Sequence, residues 1–200
     1  SPGEKGWIEG WSDLDLFVIA DETARAEIAA AVDHYQAAIA TTASVGLTLA
    51  TPQELAARLI TPRLAFCLYQ MQHGHPVLHA ASDVRLPTIS ETELQLAVVR
   101  ELPQVILTMR RLRASAGPAT LRPLYKHLVL ACRLLLREHS VWETEADRIL
   151  AAAAAHLPGL GAFAVPPLTE VAAAWRTDTA DAALKPVIEA VDQLLTWYAA

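Results

Sequence analysis

The chain has 200 residues, of which 53% are hydrophobic and 19% charged, and its formal net charge is −6. That length suits one large or two small domains, and the apolar content suits a sizeable core. The acidic balance argues against a dedicated nucleic-acid binder, which carries a basic excess, and neither an apolar run of about 18 residues nor a signal-peptide layout speaks for a membrane span or export. The cysteines Cys67 and Cys132 lie in apolar helical patterns and read as buried free thiols, which points to a reducing, cytoplasmic setting.

In chain order, the opening stretch from Ser1 to Gly10 is polar and glycine-rich, with little helix or strand propensity. Residues 14–20 predict a buried strand, residues 22–40 a helix rich in Ala, Glu and Arg, and residues 45–50 a second strand. Thr51-Pro52-Gln53-Glu54 has the spacing of a capping box with proline at the first helical position, opening a short helix to about residue 60. Thr61-Pro62 restarts a helix carrying Leu64, Phe66, Cys67, Leu68 and Met71, and Gly74 ends it. His75 to His79 reads as a short strand that Pro76 confines to an edge or a strand start.

From Ser90 onward the pattern is helical. Ser90-Glu91-Thr92-Glu93 is another capping box, opening a helix to about residue 114 that Ala116-Gly117-Pro118 breaks. A long helix follows over 121–139, and Ser140-Val141-Trp142-Glu143 repeats the capping spacing, predicting a helix from there to about 157. A loop over 158–167 leads to helices over 168–176 and 180–198. Strands mixed with helices, then helices alone, predict an α+β chain: a small mixed-sheet domain over 1–85 and a helical bundle domain over 86–200. The boundary falls at 80–90, where Ser, Asp and Pro interrupt the periodicity.

The stretch that carries chemistry is Gly10-Trp11-Ser12-Asp13-Leu14-Asp15-Leu16-Phe17-Val18-Ile19. Side chains alternate along a strand, so Asp13 and Asp15 point to one face and Leu14, Leu16 and Val18 to the other. With no cation nearby in sequence, the two carboxylates repel each other until something neutralises them. Mg²⁺ does so, and is usually held by one or two carboxylates plus phosphate oxygens. The glycines upstream let backbone N–H groups approach an anion. Trp7 and Trp11 flank that loop and offer faces on which a base or acceptor could stack. The plainer reading of an Asp-x-Asp is loop polarity ahead of a core strand.

Ser12-Asp13-Leu14-Asp15-Leu16, with Gly6 in the preceding loop and Ser1 before it, resembles the signature of the DNA polymerase β-like nucleotidyltransferase superfamily. The likeness is closest to aminoglycoside and minimal nucleotidyltransferases that carry a helical C-terminal domain. The resemblance implies a small mixed-sheet nucleotidyltransferase fold, here lacking the helix and strand that precede the motif in the family. It implies Asp13 and Asp15 as metal ligands and catalytic residues, and Ser1, Gly6 and Ser12 as nucleotide-binding residues. It also implies Mg²⁺ and a nucleoside triphosphate, ATP first, as cofactors. The family places a third acid on a later strand, where this chain has Gly46, and Glu54 just beyond reads as a capping residue.

On the helix over 121–139, Arg122, Lys126, Arg133 and Arg137 fall within an arc of roughly 60°. They form either a solvated basic face or, as in relatives with a helical domain, a stripe that reaches the triphosphate, with Lys126 and Arg133 as the candidates. His73, His75 and His79 lack a completing Cys or acid for zinc. Glu91, Glu93, Glu101, Glu138, Glu143 and Glu145 could meet a polycationic acceptor. Two readings stay open. One is an enzyme moving a nucleoside monophosphate from Mg-NTP to a hydroxyl of a small molecule, an aminoglycoside among them, or of a protein. The other is a catalytically degenerate nucleotide-binding or antitoxin-like regulatory module. A homodimer or a partner protein is compatible with either.

Overall fold

Parallel strands cannot be joined by a tight turn, so a helix must cross over between them. The computed structural model, which describes residues 8–39, 44–72, 86–177 and 179–200, has that arrangement in its first part. Strand β1 (Asp13–Ile19) pairs in parallel with β2 (Ser44–Ala50), Asp13 opposite Ser44 and Ile19 opposite Ala50. Helix α1 (Arg25–Ile39), entered through a 3-10 turn at Glu22–Ala24, runs between them in sequence. Its Gln36 side-chain oxygen accepts a hydrogen bond from the Val45 N–H at the start of β2.

Helix α2 (Pro52–Ala56) opens with the predicted capping box: Thr51 N–H donates to Glu54 at 2.8 Å and Glu54 N–H donates to the Thr51 hydroxyl at 3.1 Å. It is shorter than the sequence suggests, because Arg58 turns into the left-handed region at φ 52° and residues 59–61 are not helical. Helix α3 (Pro62–Gln72) and the start of α4 (Glu91–Ala114) complete the first core, in which Leu55, Leu64, Ala65, Leu68, Ile89, Leu94 and Ala97 are buried. Phe17 and Ile19 pack against that cluster. They lie on the same face of β1 as Asp13 and Asp15. That face therefore leads from acids into the core formed with α3.

The sequence reads β1 as a buried strand, and here the structure differs. Asp13, Leu14 and Asp15 are exposed and the other residues of β1 are only half-buried. Among the described residues the sheet has two strands, so β1 is not sandwiched between neighbours. The predicted strand at His75–His79, with Gly74, lies outside the described residues.

The chain divides into two compact units between Ala97 and Val98, inside α4. In the second unit, α5 (Leu121–Glu138) lies at the centre of the packing, against α6 (Ala146–His156), α7 (Leu168–Trp175) and α8 (Ala180–Ala199). Its Leu121, Leu124, Tyr125, Leu128 and Cys132 are at most 1% exposed. Arg113 of α4 grips Asp192 of α8 through two bonds of 2.8 Å. The mixed α/β content and the helical second half agree with the sequence. The helix expected to start at Ser140 does not. Ser140 adopts φ 57°, its N–H donates to the Arg137 carbonyl at 3.0 Å, and Val141 N–H donates to the Leu136 carbonyl at 2.9 Å. This is a Schellman closure of α5, so the serine ends one helix instead of starting the next, and α6 begins at Ala146.

Candidate functional site

The site starts from a turn. Gly10 takes φ 72°, a left-handed value that glycine adopts without penalty. Ser12 N–H donates to the Ile8 carbonyl at 2.8 Å, and the Ser12 hydroxyl accepts from Ile8 N–H at 2.9 Å. Ser12 thus closes the turn that delivers the chain into β1. Trp11 is 3% exposed and belongs to the packing, so it presents no ring for a base or acceptor. Ser1, Gly6 and Trp7 lie outside the described residues.

Asp13 and Asp15 then emerge on one face, as the alternation requires. The parallel register sets Ser44 opposite Asp13 and Gly46 opposite Asp15. The Ser44 hydroxyl donates to Asp13 Oδ1. Arg63, at the start of α3, donates from Nη2 to Asp15 Oδ1 at 3.1 Å. No cation adjoins the pair in sequence. Arg63 supplies one, from 48 residues away. It reaches Asp15 because α3 packs on the Phe17 and Ile19 end of the same face.

Gly46 has a definite steric role. A Cβ there would stand 2.4 Å from Asp15 Oδ1 and 3.2 Å from Arg63 Nη2. The position where the family resemblance places a third acid therefore faces Asp15 and is filled in part by the Arg63 guanidinium. Glu54 does not replace that acid. It caps α2 and accepts from Arg25 at 3.1 and 3.3 Å, and the Thr51 backbone bond is the largest influence holding its carboxyl below the ordinary range. Among the described residues, no three His, Cys, Asp or Glu side chains converge as a metal set.

Two exposed carboxylates still fit a Mg²⁺ that takes its remaining ligands from phosphates and water. The Asp15 and Arg63 side chains are 72% and 60% exposed. Such a surface ion pair is worth about 0–1 kcal/mol, too little to exclude a divalent ion carrying a polyphosphate. Cys67, half-buried and one turn after Arg63, is near enough to feel both charges: burial pushes its thiol up, Arg63 opposes this and Asp15 adds to it.

In the second unit, the cations of the basic stripe are engaged: Arg137 is buried, and Arg122, Lys126 and Arg133 are half-buried. Arg137 is 5% exposed and stands 3.2 Å from the centre of the Trp142 ring, while Arg122 stands 5.5 Å from that of Trp175. Arg133 donates to the Thr144 carbonyl at 3.1 Å, and Lys126 is half-buried on the same stripe. The stripe is built into the packing around α5. Of the glutamates suggested for a polycation, Glu91 accepts from the Tyr69 hydroxyl at 2.9 Å, and Glu93 caps α4 and pairs with Arg58. His73, His75 and His79 lie outside the described residues. Among those residues, no helix is long and apolar enough to cross a membrane. No family model, curated protein or solved structure matches this chain.

Proposed function

We propose that the first unit binds a metal–nucleoside triphosphate at Asp13 and Asp15, and that the chain transfers the nucleoside monophosphate to a hydroxyl of a small molecule or protein. The observation that supports this reading is the projection of two exposed carboxylates side by side from the mouth of β1, after a tight glycine turn. When bound, Mg²⁺ would neutralise charge on the transferring phosphoryl group and help align attack and departure. The chain's own contribution is positional. Ser12 fixes the entry of β1, Ser44 orients Asp13, and Gly46 leaves space for the Asp15 carboxylate where it stands. ATP is the favoured nucleotide, and an aminoglycoside is one acceptor of the right class.

The test is transfer of label from α-³²P-ATP to a panel of hydroxyl acceptors, with and without Mg²⁺. Incorporation that disappears in Asp13→Asn/Asp15→Asn supports the enzyme. Incorporation that survives the double change removes the two-aspartate mechanism.

One observation favours a second reading, a nucleotide-binding or antitoxin-like regulatory module without transferase activity. Gly46 stands where a third acid would sit, with Arg63 beside it. Nucleotide binding that depends on both aspartates, with no product from any acceptor, would select that module.

A further inference from the structure

We infer that Arg63 is the phosphate-binding arm of this site, parked on Asp15 until a polyphosphate arrives, an inference that rests on the metal–nucleotide reading above. The guanidinium makes a 3.1 Å contact to Asp15 Oδ1 from an arm that is 60% exposed. A pair built for stability would be buried or bidentate, as Arg113 and Asp192 are in the second unit. This pair is single-pronged and open to water, so it exchanges partners at little cost.

Gly46 makes the parking place. With any side chain at 46, a Cβ would lie 2.4 Å from the carboxylate oxygen and 3.2 Å from the guanidinium nitrogen. A glycine therefore lets a cation stand where the resemblance expects an anion. Without nucleotide, Arg63 offsets the repulsion between Asp13 and Asp15. With a metal–triphosphate bound, Asp15 would hold the divalent ion in place of the guanidinium, and the Arg63 guanidinium would be free to bind phosphate oxygens, bidentately where they allow. No proton moves and charge stays balanced at each partner. Arg63 is thus a substrate-binding residue and a competitor of bare metal at the same carboxylate.

These two roles give opposite signs in one experiment. The full chain is titrated with Mn²⁺ alone, with Mn²⁺–ATP, and with adenosine, comparing wild type, Arg63→Met and Arg63→Lys. Methionine keeps the stem and removes the charge. The expected result is Mn²⁺ alone bound about threefold more tightly by Arg63→Met, Mn²⁺–ATP bound about tenfold more weakly, and adenosine unchanged. Lysine should recover part of the ATP loss. Equal Mn²⁺–ATP affinity in wild type and Arg63→Met, or an equal loss for ATP and adenosine, overturns the role of Arg63 and leaves the metal–nucleotide reading standing. Wild-type affinity in Asp13→Asn/Asp15→Asn, or no Mn²⁺–ATP binding by wild type, removes that reading and this inference with it. Should Arg63→Met melt early, Arg63→Lys carries the test: its loss must grow from AMP to ATP, and a uniform loss overturns the proposal.

Discussion

At Gly46 the missing Cβ leaves the space that the Asp15 carboxylate and the Arg63 guanidinium occupy. The alternation of β1 makes Asp13 and Asp15 legible in the sequence, because period two depends only on neighbours in the chain. Arg63 and Ser44 are not legible in that way. Ser44 needs the strand register, and Arg63 needs the packing of α3 against the Phe17–Ile19 face. Residue chemistry also separates the two thiols. Cys132 is fully buried, which pushes its thiol up to about 12, while Cys67 is half-buried beside Arg63 and Asp15. Native protein should therefore take up one equivalent of a maleimide, slowly, at Cys67, and a second only on unfolding. Peptide mapping of the labelled protein checks this, and rapid labelling of Cys132 in the native state would contradict the packing of α5.

Among the elements, the helix starts at Thr51 and Ser90 were readable because a capping box is a local device. Ser90 N–H and hydroxyl both bond Glu93, at 3.0 and 2.8 Å, and Glu93 N–H returns a 3.3 Å bond. Ser90→Ala and Thr51→Ala should each cost about 1 kcal/mol by denaturant unfolding. The same letters at Ser140 mislead, since Ser-x-x-Glu cannot say whether a helix is arriving or leaving. Here α5 ends in a Schellman turn, with a serine accepting φ 57°. The partners of the basic stripe of α5 are not legible in sequence, which cannot show that Trp142, Trp175 and Thr144 lie against it. Since α5 carries the second core, Leu128→Ala should destabilise by about 2–5 kcal/mol, an effect read from the urea midpoint. Arg137→Met, which removes the charge over Trp142 and keeps the stem, should cost less than the leucine truncation.

For the whole molecule, acid should be the damaging condition. Glu93 has its carboxyl held at about 2, against an ordinary 4.5, first by the Ser90 backbone and then by Arg58, and Glu54 is lowered through Thr51. A depressed carboxyl stabilises the fold above its unfolded pKa and loses that contribution as pH falls toward the folded value. Unfolding midpoints should thus hold above about pH 5 and decline from there toward pH 2, with Glu93→Gln flattening part of the decline. A midpoint that rises on acidification would contradict these assignments. The α+β character is legible in sequence because strand and helix periods differ and the strands come first in the chain.

The most direct measurement is paramagnetic broadening by Mn²⁺–ATP in the amide spectrum of the full chain. Resonances of Asp13, Asp15, Ser44, Gly46 and Arg63 should broaden first and together, and Asp13→Asn/Asp15→Asn should abolish the effect. Broadening centred elsewhere, or unchanged in the double variant, would contradict a metal–nucleotide site at the mouth of β1.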